Sequence, residues 1–465
     1  METDIFQLIE LAKQGDVDAQ FSLGSRYYEG DGVTEDLEKA VYWWTQSAEQ
    51  GHSGAQCNLG TCYHQGKGVS RDIEKAVFWF TKATEQGEAM AQNKLGLCYF
   101  RGKGVPKDME KAVYWWTQSA EQGYAGAQFN LGWLYGLGKD IPIDFEKAVY
   151  WLIKSTEQGN AEAQCYLGCC YYEGDGVQKD LEKAVYWFTK AAEQGDDEAQ
   201  YFLGYCYNEG VGVKKDQEKA VYWYTQSAEQ GDVDAQYFLG CCYYEGVGVK
   251  KDQEKAVYWY TQSAEQGNAL AQKKLGTSYY EGDGVQKDLE KAVYWLTKAA
   301  EQGNALAQCF MGCCYHAEVG VSKDIEKAVY WWTKSAEQGN DIAQYDLGIC
   351  YMNGEGVSID LEKAIFWLAQ SAEQGNAKAQ RNLAICYFKR EGVSRDMEKV
   401  VFWLTKAAEQ GDADARFFLE CYYNEGVGVK KDLEKNVYQW AQLAKQGIVE
   451  AKIMLSNVKD ESMVN

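Results

Sequence analysis

At 465 residues the chain exceeds what one hydrophobic core usually organises, so it reads as several domains or a repeat array. Its 46% apolar and 14% aromatic content, with a mean hydropathy of −0.50, exclude a disordered chain and a membrane-inserted one. A net charge of −22, with no basic stripe to neutralise phosphates, argues against nucleic acid as the main ligand.

The opening stretch METDIFQLIELAKQG has neither the positive n-region nor the cleavage site of a secretory leader, so an intracellular, cytoplasmic location is expected. Residues 1–14 read as half of a repeat, a capping helix offering Ile9, Leu11 and Ala12 to the first full unit. From Gly15 to Gln446 there are 432 residues, twelve units of 36 without a gap: 15–50, 51–86, 87–122, 123–158, 159–194, 195–230, 231–266, 267–302, 303–338, 339–374, 375–410 and 411–446. The stretch EGVGVKKDQEKAVYWYTQSAEQG even returns letter for letter at 209–231 and 245–267. Counting each unit from its opening glycine, all twelve have Ala at place 5, Tyr at 13, Asp at 22, Glu at 24, Lys at 25 and Gln at 36, and place 9 is Leu except at Met311.

Each unit reads as two helices. In the unit opening at Gly231, Ala235, Leu239, Cys242 and Tyr243 make one apolar stripe, and glycine at place 10, here Gly240, admits a close neighbour. Two glycines in EGVGVKK then break the helix, Asp252 is placed as the N-cap of the second helix, and Glu254 suits its positive end. That helix carries five consecutive apolar or aromatic residues, so neighbours are expected on more than one side of it. The fourth unit departs from the rule: GLGKDIPID places Asp140 where glycine is usual, so its turn should differ, and the two prolines of the chain, Pro106 in the third unit and Pro142 in the fourth, both fall in the loop between the two helices. The twelfth unit places Glu420 for glycine, Asn436 for alanine and Gln439 for tryptophan, as an exposed end would tolerate, and 447–465 reads as a C-terminal capping helix with a polar tail.

The pattern A-x-x-x-L-G-x-x-Y, G-x-G-V, D-x-E-K-A-x-x-W and A-x-x-G resembles the Sel-1-like repeat, a relative of the tetratricopeptide repeat. The resemblance covers essentially the whole chain and implies an all-α fold, a right-handed α/α superhelical solenoid. It also implies an adaptor role in protein-quality control, bacterial signalling and envelope assembly, or among host-directed factors of intracellular bacteria.

The acidity follows from the repeated Asp and Glu places and is spread along the scaffold, and the Glu-Lys pairs, recurring twelve times, read as structural. The fifteen cysteines fall only at places 7, 11 and 12, inside first helices. The most metal-like group, Cys309, Cys313, Cys314 and His316, spans too much of a helix to hold one ion, so small apolar packing is expected and no metal or cofactor is implied. An odd cysteine count suits a reducing compartment. His52, His64 and His316 read as surface residues with no acid recurring beside them. Resemblance to cysteine-rich relatives raises β-lactam binding or hydrolysis, but the one Ser-x-x-Lys match, Ser456 to Lys459, lacks its companion motifs.

Selectivity can be written only where units differ. By analogy with tetratricopeptide arrays, first-helix places 4, 7, 11 and 14 face inward, one turn apart. They hold Phe129 and Trp133; Glu198, Tyr201 and Tyr205; Tyr237 and Tyr244; and Tyr345, Ile349 and Met352. Aromatics there suit anchoring a peptide or helix of another protein on the concave face of units four to seven, against the alternatives of core packing, of a purely architectural spacer, and of an enzyme.

Overall fold

Helices begin where a short polar side chain can take up orphan backbone N–H groups, and they end where a glycine can turn left-handed. The unit at 159–194 serves for the others. Asn160 Oδ1 accepts from the backbone N–H of Ala163 at 2.7 Å and opens α10, Ala161–Glu173, which stops at Gly174 with φ +92°. After the loop, Asp180 accepts from the N–H of Lys183 at 3.0 Å and opens α11, Leu181–Ala192. The N–H of Asp180 donates to Tyr171 O at 2.9 Å, so the Tyr of place 13 and the Asp of place 22 close the hairpin from both sides.

The structure is a computed structural model that describes residues 2–389, 394 and 396–425. Among these residues all regular structure is helical, 24 helices from α1, Glu2–Lys13, to α24, Ala413–Glu425. The chain divides into two bodies, one up to Asp232 and one from Val233 on. Each is a solenoid stretch of helical hairpins, every helix packing on the next. The side chain of Glu420, together with Asn436, Gln439, Ser456, Lys459 and the cap at 447–465, lies outside the described residues.

The core repeats with the sequence. Leu203 of place 9 and Phe188 of place 30 are both essentially inaccessible, and small residues fill the helix crossings. At Gly204 a Cβ would stand 2.7 Å from Tyr224 Cδ1, and at Gly240 2.6 Å from Tyr260 Cδ1, so glycine at place 10 is required by contact with the hairpin's own second helix. α1 packs Ile5, Ile9 and Ala12 on Ala19 and Leu23. Leu11, expected in that set, is instead exposed, because it lies about 100° around the helix from Ala12.

The two-sided packing expected of the second helix is present: α3, Leu37–Glu49, packs on both α2, Val17–Glu29, and α4, Ser53–Gln65. The second helix does not bury its whole aromatic run: the place-28 residue, Tyr42, Phe78, Tyr114 and their equivalents, keeps more than half its surface exposed and lies edge-on to the neighbouring Trp of place 29. Nor does Lys at place 25 pair with adjacent Glu, since successive residues of a helix point apart. It pairs with the cap, as Lys39 does with Asp36 at 2.9 Å, and lies over the place-13 ring, 5.3 Å from Tyr27.

The recurring Gln has a role that its position alone did not disclose. Gln50 Nε2 donates to Gln20 Oε1 at 2.8 Å, and Gln20 Nε2 donates to Ala12 O of the preceding helix at 3.0 Å. The same two bonds recur at Gln86 and Gln56, where Gln56 reaches Ala48 O, and at Gln230 and Gln200, where Gln200 reaches Ala192 O. Each buried amide therefore joins three helices and leaves neither of its ends unsatisfied.

Candidate interaction site

Placing side chains four and seven residues apart on a helix lines them up, and the variable places do form one face on each first helix. In the first body, Phe129 and Trp133 stand on α8, Ala125–Leu137. Phe129 is half-buried beside Tyr166 against Leu152 and Leu167, and Trp133 meets the edge of Phe100 at 5.7 Å. On α12, Asp197–Glu209, the Tyr201 ring lies 6.2 Å from Tyr224 and Tyr205 shares a hydrogen bond with Tyr172. In the second body, Tyr237 on α14, Val233–Glu245, leans on Tyr260 at 6.1 Å, and Tyr244 donates to Asp283 at 3.3 Å beneath Lys251 and Lys274. On α20, Asp341–Asn353, Tyr345 accepts from Asn382 at 3.4 Å, while Ile349 and Met352 lie against the core around Leu368 and Leu383. Each of these nine apolar or aromatic side chains thus spends part of its surface on a neighbour and keeps part of it accessible.

Glu198 differs from them. It has a large accessible surface, yet neighbouring groups crowd its carboxyl, and desolvation followed by the like charges of Asp196, Asp197 and Asp232 raises its pKa. Asp196 is raised too, first by desolvation and then by Asp197, against the pull of the Ala199 N–H it caps. The start of α12 therefore carries crowded carboxylates beside two tyrosines, a wall suited to cationic groups.

Place 8 was overlooked in the sequence, although it varies as freely as place 7. It holds Tyr166, which packs on the same core around Leu152 and Leu167 as Phe129, and Asp346, whose carboxyl is raised to about 6 by burial despite the nearby His316 and Lys378. The signal was available: a lone Asp where other units carry Tyr, Phe, Asn, Lys or Ser.

Two of the three histidines have an acid beside them, contrary to expectation, because stacking brings residues more than thirty apart side by side. His52 Nε2 lies 3.6 Å from Asp18 and His316 Nε2 lies 3.7 Å from Glu355. His52 is also the N-cap of its helix, its Nδ1 accepting from Ala55 N–H at 3.1 Å. With Nδ1 accepting, neutral His52 carries its proton on Nε2, toward Asp18. His64 is half-buried and its pKa is lowered by desolvation and the cations Arg71, Lys94, Lys103 and Arg101. The cysteines are thiols, and at place 12 all eight are buried. Burial pushes Cys62 and Cys98 up to about 11 and Cys206 to about 12, which makes them inert packing groups. Cys313 is exposed and hydrogen-bonded to Cys309. Among the described residues no three His, Cys, Asp or Glu side chains converge as a metal site.

The sequence model of the Sel1 repeat matches twelve consecutive windows, from residues 17–52, 53–88 and 89–124 through to 414–447. The chain belongs to the Sel1 repeat family. These windows run two residues behind the glycine frame, as a periodic structure permits, since its first residue is a convention. Among solved structures, this Sel1 repeat chain is similar to c5321, described as a protective antigen present in uropathogenic Escherichia coli strains displaying an SLR fold. The two are 36% identical with a TM-score of 0.76, over 98% of this chain and 96% of that one. A Sel1 repeat protein from Oxalobacter formigenes is 39% identical over 65% of this chain and 88% of its own, with a TM-score of 0.50. Similarity to Helicobacter pylori cysteine rich protein B reaches a TM-score of only 0.24 over 28% of this chain, and carries no argument about activity. No curated protein matches the chain.

Proposed function

We propose that this Sel1 repeat protein is a non-enzymatic scaffold that holds a peptide or helix of another protein against the variable face of its first helices. The observation behind the reading is a division of labour. The invariant Ala, Leu, Gln, Asp, Lys and Tyr places are all occupied with the stack, as core, amide network or caps, whereas the places that differ between units stay half accessible. Within the first body the candidate face is Phe129, Trp133, Glu198, Tyr201 and Tyr205. Within the second it is Tyr237, Tyr244, Tyr345, Ile349 and Met352. Rigid, amphipathic Tyr and Trp give large contact area at small entropic cost, and the carboxylates at the start of α12 favour a partner segment with Lys or Arg. No helix among the described residues is long and apolar enough to cross a membrane, and the proposal sets the chain in a reducing compartment where its fifteen cysteines remain thiols.

Affinity purification from the producing cell, compared between the natural chain and Glu198→Ala with Tyr205→Ala, tests this. The partner is expected to be lost with unchanged far-UV circular dichroism, and retained with Tyr201→Phe; equal capture by all three would remove α12 from the site. Hydrolysis of a chromogenic cephalosporin by the purified chain would overturn the non-enzymatic reading.

A further inference from the structure

The loop between the two helices of a unit normally lies tight against the unit before it. At place 18, a Cβ on Gly68 would stand 2.2 Å from Leu37 O, one on Gly104 2.8 Å from Ile73 Cγ2, and one on Gly176 2.3 Å from Phe145 O. Glycine at this place is therefore required twice over, by its positive φ and by contact with the first turn of the preceding second helix. Eleven of the twelve units have it, and the fourth has Asp140. Asp140 keeps the left-handed backbone, φ +65°, but its side chain cannot enter that contact. The loop stands away from α7, Met109–Glu121, and a cleft of about 640 Å³ opens between them. Proline is not the cause: Pro106 occupies the same loop place as Pro142, in a unit whose Gly104 remains close-packed.

We propose that this cleft is a docking pocket for one aliphatic anchor residue of a partner peptide, flanked by Lys or Arg. Its walls are apolar: Met109 and Val113 on one side, Ile141, Pro142 and Ile143 on the other. Ile143 is specific to the site, because place 21 is Lys, Arg or Glu in every unit except this one and that of Ile359. It is 56% exposed, with Tyr114 equally open on the facing helix. A volume of this size lies within the range of about 300–1,000 Å³ typical of ligand sites. Charge sets the partner's sign. Glu110, Asp140 and Asp144 line the cleft against Lys147 alone, Lys147 is taken by Asp144 at 2.9 Å, and Asp140 is held by Lys107 at 2.5 Å. Glu110 forms no ion pair among the described residues, so the rim is left with an uncompensated carboxylate for an incoming cation. The pocket does not depend on the variable first-helix face, so either can fail alone.

The test is saturation-transfer NMR of the full chain with three capped tetrapeptides: Gly-Leu-Arg-Gly, Gly-Leu-Glu-Gly and Gly-Ser-Arg-Gly. The leucine methyls of the first should saturate with the natural chain, and the apparent affinity should fall roughly ten-fold in Asp140→Gly, which restores the repeat's own glycine and closes the cleft, and in Ile143→Lys. Asp140→Gly relieves rather than strains the backbone, and unchanged far-UV circular dichroism keeps the comparison valid. Equal binding of the Glu or Ser peptide, unaltered binding by Asp140→Gly, or no saturable binding would overturn the proposal. So would isopentylammonium ion binding as tightly as the Leu-Arg peptide, which would make the cleft a small-cation site.

Discussion

A buried amide such as Gln200 is the single side chain on which two joints of the stack meet, because it donates to Ala192 O at 3.2 Å and accepts from Gln230 at 2.8 Å. Gln200→Leu keeps the volume and orphans both partners, so it should cost about 1–3 kcal/mol, read as faster amide hydrogen exchange over residues 192–230. Exchange elsewhere in the first body should change little, since repeats are coupled mainly to their neighbours. Asp346 makes the opposite case, a residue that costs stability. Its folded pKa of about 6 lies above the ordinary aspartate value of about 3.9, so below pH ~4 it is protonated folded or unfolded and carries no penalty. The penalty grows as the pH rises from ~4 to ~6 and is complete above that. A shift of this size corresponds to at most about 3 kcal/mol, and partial exposure reduces it to roughly 1–2 kcal/mol. Asp346→Asn should therefore raise the urea midpoint at pH 7 and match the natural chain at pH 4; an advantage at both pH values would contradict this origin.

Each element's boundaries follow from caps, and the caps are uneven in a way that can be measured. Among the described residues the second helices from α3, Leu37–Glu49, onward all start on Asp, whereas first helices start on Asp, Asn, His, Glu or Tyr. Asn268 accepts from Ala271 N–H at 2.9 Å, but Glu88 and Tyr124 make no such bond although their backbones adopt the same extended cap geometry. Glu88→Asn should then supply the missing acceptor and stabilise its helix by about 0.5–1 kcal/mol, while Asn268→Ala should lose about 1 kcal/mol. Thermal unfolding of the two variants beside the natural chain checks both signs. A lost cap costs one helix end and leaves the joint with the next unit intact, so units of this chain can differ at that place without breaking the stack.

At the scale of the whole molecule, the fold was legible because one pattern was written twelve times. Ala at place 5, Leu at 9 and Asp at 22 announce core and cap by residue type alone, and the glycine at place 10 announced a close approach that Tyr224 and Tyr260 now fill. What stayed hidden depends on which units become neighbours. Gln20 and Ala12 are eight residues apart but sit on separate helices, and Asp18 and His52 meet only through stacking. Of the candidate face the sequence disclosed that Tyr201 and Tyr237 share a helix side with the other variable places, but not that they lean on Tyr224 and Tyr260, and Tyr166 and Asp346, one place over, were not singled out. The same logic of neighbours makes a unit removable. Deleting residues 159–194 joins Gln158 to Gly195, the Gln-Gly junction found at every unit boundary, and lets Gln200 meet the carbonyl of Thr156 in place of Ala192. Backbone geometry and amide network are both preserved, so the shortened chain should keep its ellipticity per residue and lose only one unit's share of stability, a modest fall in the unfolding midpoint. Collapse of helicity in that deletion would mean that the stack is held by something other than contacts between consecutive units.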